Sequence, residues 1–299
     1  MKEDNMAKKE ETKSKKDAAA PPKKNKVFDH LFGVDFLEKF ILWAKGLLNE
    51  KVLQFSLDWM TKIGHFALIA AAVLGLLFSL LVAIRLNSFF AFLYGFAWIL
   101  LVFVIQFTAH RFVKAGDTLI KNNPSTLSSK AFLDCLGFLS LIGAIIFFVV
   151  GIVRAVQGGG IWIFLMGTAA FILLILFALI AFNPKTINKT VGKNTSAGQE
   201  AIGIIVFFLK GVMRLVPILF GVGIAVGLTL LVVDFIGVFG TEARLAASWE
   251  NVSKTAGTIA LFGLLPLISY IAFVIYYLAI DIIRAILALP GKLDELIKK

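Results

Sequence analysis

FALIAAAVLGLLFSLLVAI, residues 66–84, is the stretch that decides the fold. It carries one hydroxyl and no charge, and at about 1.5 Å per residue a helix of this length reaches about 30 Å, the hydrocarbon thickness of a bilayer. A run this long with neither a polar face nor a turn signal reads as a membrane-spanning helix.

Five further runs of the same kind follow outward from it, at 88–108, 132–153, 161–182, 215–238 and 258–280. Together the six hold about 130 residues and two formal charges, Asp134 and Asp234, so nearly every Lys and Arg falls in a loop or tail. The expected fold is an all-α polytopic membrane protein with six transmembrane helices. Composition agrees: 59% of the 299 residues are hydrophobic, 16% are charged, and mean hydropathy is +0.89, which excludes a soluble globule. The lone Cys135 excludes an intramolecular disulfide and any multi-cysteine metal site.

The formal charge of +11 acts as a topology marker. With the N-terminus in the cytoplasm, the outer loops carry Arg85, Arg154, Arg244 and Lys254. The inner side, within about 20 residues of the spans, carries Lys51, Lys62, Arg111, Lys114, Lys121, Lys130, Lys185, Lys189, Lys193, Lys210, Arg214, Arg284, Lys292, Lys298 and Lys299. Fifteen against four predicts both ends inside, with a bacterial inner (cytoplasmic) membrane as the expected location.

Three regions are expected. Residues 1–33 read as a disordered, Lys-rich cytoplasmic tail, without the apolar core of a signal peptide, so the first span would act as an uncleaved anchor. The tail is a candidate contact for anionic lipid or an acidic partner, at about 1 kcal/mol per Lys, although Glu3, Asp4, Glu10, Glu11 and Asp17 dilute its charge. Residues 34–64 place Phe36, Leu37, Phe40, Ile41, Ala44, Leu47 and Leu48 at helical spacing. They read as an amphipathic helix lying in the inner interface with Trp43 and Trp59 at headgroup depth, or as a packing helix against another subunit. Residues 65–299 form the six-helix domain, with further cytoplasmic amphipathic helices near 197–214 and 281–289. Ser196 and Gln199 would open the first as a capping box and Pro217 would turn it into span five, while Pro290-Gly291 would stop the second.

Asn123-Pro124-Ser125-Thr126-Leu127 echoes Asn183-Pro184-Lys185-Thr186-Ile187 sixty residues later, on loops that each follow an even-numbered span. The echo fits either a duplicated hairpin or two ordinary Asn-Pro turn starts.

Asp234, near the outer end of span five, is the first candidate for transport chemistry, since a lone carboxylate there must reach water, find a partner such as Arg244, or be protonated. Thr229 and Tyr270 are further transport candidates. Gly221, Gly223, Ala225 and Gly227 space small residues four apart, which lets helix backbones approach closely. Pro217 and Pro266 are candidate hinges, Pro266 as a kink in span six. His65 and His110 flank the first hairpin at nearly equal depth. Two imidazoles on adjacent helices suit a haem or metal, but no other ligand lies near them in sequence, and neither cofactor nor metal is assigned.

No HExxH, GxSxG, phosphate-loop or dinucleotide pattern occurs, and Asp134 and Asp234 fall near opposite membrane faces, so no carboxylate dyad forms. Basic residues follow the topology and do not make a nucleic-acid patch. The expected function is therefore a non-catalytic assembly or scaffold subunit of a membrane complex, contacting lipid and protein partners or copies of itself. The alternative is a transporter or channel for a small or lipid-like solute, using Asp234 and the span that contains Pro266.

Overall fold

A computed structural model describes residues 32–192 and 197–297. They fall into two units, one ending at Leu47 and one beginning at Leu48. Of the first unit, only helix α1 (Phe32–Leu47) is described; the 1–31 part of the expected tail and the capping residue Ser196 lie outside the described residues.

The second unit contains α2 (Glu50–Leu86), α3 (Phe89–Asn122), β1 (Ser125–Leu127), α4 (Lys130–Arg154), α5 (Gly160–Phe182), β2 (Lys189–Val191), α6 (Ala197–Gly237) and α7 (Glu242–Ile297). Six of these helices are long and apolar enough to cross a membrane, and the chain is a six-span all-α membrane protein. Large apolar side chains such as Phe66, Phe90 and Met166 are at least 70% exposed, a surface that only lipid or a partner chain would solvate.

Local chemistry explains the boundaries. Asn49, Ser88 and Ser129 each accept a hydrogen bond from the backbone N–H three residues on, capping α2, α3 and α4. Asn123 and Asn183 each precede a proline, which drives them out of the helical region, and each donates its side-chain amide back to the carbonyl four residues earlier. The two Asn-Pro stops are thus locally alike. Beyond them the chain diverges, because β1 follows Pro124 directly whereas a 3₁₀ turn, Pro184–Ile187, precedes β2. The strands pair in parallel with Ser125 opposite Lys189, an offset of 64 residues that the sixty-residue echo does not match.

Three boundaries differ from expectation. The expected 34–64 helix breaks at Asn49, and its second half is the start of α2, because the Asn49 cap opens a new helix there. The expected 197–214 helix is continuous with span five through Pro217, which sits inside α6. The residues on either side of it, Val216 and Ile218, are buried, so packing against neighbouring helices holds the segment helical through the proline. The expected 281–289 helix likewise does not stop at Pro290-Gly291; α7 runs unbroken through Pro266 and on to Ile297.

α2, α3, α6 and α7 form a four-helix core. Apolar clusters follow one another along it: Leu53, Leu57, Ile120 and Phe273 at the end bearing the β1–β2 ribbon, Leu68, Ile105, Phe220 and Ile259 midway, and Phe78, Val82, Val238 and Leu245 at the opposite end. α4 and α5 form a separate hairpin. Its ribbon end, with Leu133, Leu179 and Ile180, joins the first cluster, while α4 makes extensive contact only with α5 and their connecting turn.

Candidate functional site

Asp234 is buried, 7% exposed, and its Oδ2 accepts the Thr255 hydroxyl at 2.7 Å. It is buried rather than open to water and is not paired with Arg244: one oxygen of an α6 carboxyl accepts from an α7 hydroxyl, a bond between two helices. Thr229 is exposed and donates to the Ala225 carbonyl one turn back, and Tyr270 packs edge-on against Phe112 with ring centroids 5.1 Å apart. The structure does not bring the three transport candidates together around one cavity.

The small-residue stripe serves two neighbours. A Cβ on Gly221 would overlap the Met60 carbonyl oxygen of α2, so the α2 and α6 backbones meet there. Gly223 and Gly227 face α7, where Phe262 and Ile259 fill the space a Cβ would need. Ala225 takes no such part; it is half-buried and accepts from Thr229.

At the ribbon end lies a polar knot that sequence reading treated only as topology charge. Lys189 and Lys210 are 1% and 0% exposed. Lys210 donates to the carbonyls of Asn123 and Asn188 and to Ser125 Oγ, tying α6 to both Asn-Pro loops. Lys189 donates to the Gly203 carbonyl, and Glu200 accepts from the backbone N–H groups of Ser128 and Ser129 at 2.6 and 3.0 Å. Burial holds the Lys189 ammonium down to about 7, assisted by the charges of Lys210 and Arg284 and opposed by Glu200. The signal available in sequence was an amphipathic helix start carrying one Lys amid Ile, Val and Phe. At the opposite end Arg85 clasps the α6–α7 turn, donating to the Val238 and Gly240 carbonyls and pairing with Glu242 at 3.1 Å.

His65 and His110 do meet, ring centroids 5.7 Å apart, with Phe220 on the other side of His65. Among the described residues no group of three or more His, Cys, Asp or Glu side chains is placed to hold a metal ion.

Two clefts remain. One of about 660 Å³ lies among α2, α3, α6 and α7 and is walled by Phe78, Tyr94, Trp98 and Trp249, with Ser253 and Glu250 among its few polar groups. Trp98 is seated against Gly75 and donates to the Ala71 carbonyl at 2.8 Å, which orients this wall against α2. The second, about 540 Å³, lies among α2, α3 and α6 toward the ribbon end and is amphipathic.

These features define a helical multi-pass membrane protein in which some polar side chains bond from helix to helix and others bond back along their own helix. No protein-family model, curated protein or solved structure matches the chain.

Proposed function

We propose that the protein is a non-catalytic membrane subunit that holds a larger assembly together, with both ends on the cytoplasmic side of a bacterial-type inner membrane. The observation that carries this reading is how polar groups within the apolar stretches are used. Asp234 is taken by Thr255, Ser79 by the Ala91 carbonyl and Trp98 by the Ala71 carbonyl, while Ser140, Thr168 and Thr229 bond one turn back along their own helices. A hydrophilic solute crossing the bilayer needs polar groups free to replace its water, and these six are each bonded within the fold, whereas Gln106 beside His65 and His110 lines a cleft. The α4–α5 hairpin adds apolar surface on a hairpin joined to the core at one end, which suits association with a partner or a second copy.

Purification in mild detergent with identification of co-migrating chains tests the reading. A stoichiometric complex, with another chain or with itself, is expected, and a solitary monomer overturns it. Cysteine labelling at the α2–α3 turn and at the ribbon tests the orientation that the fifteen-to-four charge count supports.

The aromatic cleft supports a second reading, a carrier of a lipid-like solute. In that case photolabelling by a lipid analogue would fall on Trp98 and Trp249, and flux would be independent of Asp234, which does not line the cleft.

A further inference from the structure

α2 and α3 change from apolar to charged sequence at the same end of the core, where the apolar run of α2 begins at Phe66 and that of α3 ends at Thr108; on α6, Arg214 precedes the uncharged run 215–233. The amphipathic cleft of about 540 Å³ lies at this end, with Lys62 from α2, Lys114 from α3 and Arg214 from α6 in its wall. Lys62 is four residues and Lys114 six residues past the apolar limit, about 6 to 9 Å along the helices, which is the depth of a phospholipid headgroup layer.

The charges in this cleft are not balanced. Asp117 takes both Arg214 and Lys121, the latter at 2.6 Å, and Asp58 accepts only the Gln54 amide, at 3.2 Å. Lys62 and Lys114 have no acidic partner among the described residues. Counting Lys121 with the cleft, four cations face two carboxylates. Arg214 is fixed in place by Asp117 on one guanidinium nitrogen and by Gln54 on the other, at 2.8 Å, and its buried Nε–H has no acceptor in the protein. An oxyanion entering from the cleft would offset the two unpaired ammonium groups beside the held guanidinium. Met213, Val216 and Phe112 provide apolar wall beside the charges, as an acyl glycerol backbone requires.

We propose that this cleft binds a phosphoryl group presented at the membrane surface, namely the phosphate of an anionic phospholipid, with Lys62, Lys114 and Arg214 as its cationic contacts. The site is independent of the assembly reading and of the N-terminal tail.

The test uses the full chain in detergent, with phosphatidylglycerol, phosphatidylcholine or inorganic phosphate added, and native mass spectrometry to count retained lipid. The wild type is expected to retain phosphatidylglycerol on the order of 10- to 30-fold better than phosphatidylcholine, from about two unpaired surface cations. The double variant Lys62→Gln/Lys114→Gln, whose side chains hold no other element, is expected to lose that preference, while Lys130→Gln/Lys254→Gln keeps it. Arg214→Lys, which retains the charge but removes the fork, is expected to fall between. Equal retention of both lipids by the wild type, or a preference that survives in the double variant, overturns the proposal. Displacement of the lipid by millimolar inorganic phosphate would reassign the same contacts to a soluble phosphate and overturn the headgroup source.

Discussion

The four-helix core and the α4–α5 hairpin are built from sequences of nearly equal hydropathy, yet they are held in different ways. In the core, polar side chains reach across from helix to helix, as Thr255 does to Asp234 and Arg85 to the α6–α7 turn. In the hairpin, Ser140 and Thr168 bond back to their own helices, and the two helices meet through Gly151 and Gly167, whose alpha carbons leave no room for a side chain. Lipid provides little hydrophobic drive for helix association, so close packing and interhelical hydrogen bonds decide which helices stay together. The core has both. The hairpin has close packing within itself and is tied to the rest at its ribbon end.

The contrast is most exposed to refutation at the glycines. Gly221→Ala puts a methyl group against the Met60 carbonyl, a backbone atom that moves only if α2 and α6 separate. A loss of about 3 kcal/mol or more is expected in denaturation from detergent. Gly151→Ala meets Gly167 across a two-helix contact that is free to widen, and about 1 kcal/mol is expected. Equal losses would mean that the hairpin is as firmly built as the core.

The knot that joins hairpin and core at the ribbon makes a pH prediction. Folded Lys189 titrates at about 7 against its ordinary 10.5, so between these values the unfolded chain binds more protons than the folded one. Stability should therefore rise with pH from about 7 to about 10.5 through this group and not respond to it below. The gain is at most a few kcal/mol, at about 1.4 kcal/mol for each pH unit between the two values. Lys189→Met should flatten the rise in a melting-temperature series, and an unchanged slope would remove Lys189 from the knot.

A smaller effect sharpens the polar half of the contrast. Asp234→Ala and Thr255→Val, combined in a double-mutant cycle, should show a coupling of about 0.6 to 1.7 kcal/mol, the range for hydrogen bonds between membrane helices. The smallest expected effect is at Gly257 in α7, where nothing lies within 4 Å of an added Cβ. Gly257→Ala should leave stability within about 0.5 kcal/mol or raise it slightly through helix propensity. A large loss there would reveal a partner packed on that face.

Much of the fold was legible in the chain. Spans announce themselves because hydrocarbon solvates no unpaired peptide group, so length and hydropathy alone pick them out. The Asn-Pro stops follow from proline sterics, whereas the caps at Ser88 and Ser129 were found only in the structure. The candidate sites were less legible. Asp234 stood out as a costly carboxylate, but its partner lies 21 residues away on the next helix, a distance that no local pattern encodes. Lys189 and Lys210 looked like ordinary topology charges, and only the pairing of the two loops buries them. The phosphoryl cleft was invisible because Lys62, Lys114 and Arg214 come from three helices.

The sequence by itself determined six apolar spans and which segments carry charge. These depend on the transfer of each residue between water and hydrocarbon, which needs no neighbour. Only the tertiary structure decided which helices form the core, that Gly221 turns to α2 while Gly223 and Gly227 turn to α7, and that the ribbon closes over two buried lysines. Those outcomes rest on contact geometry and pairwise hydrogen bonds, which exist only once distant segments have met.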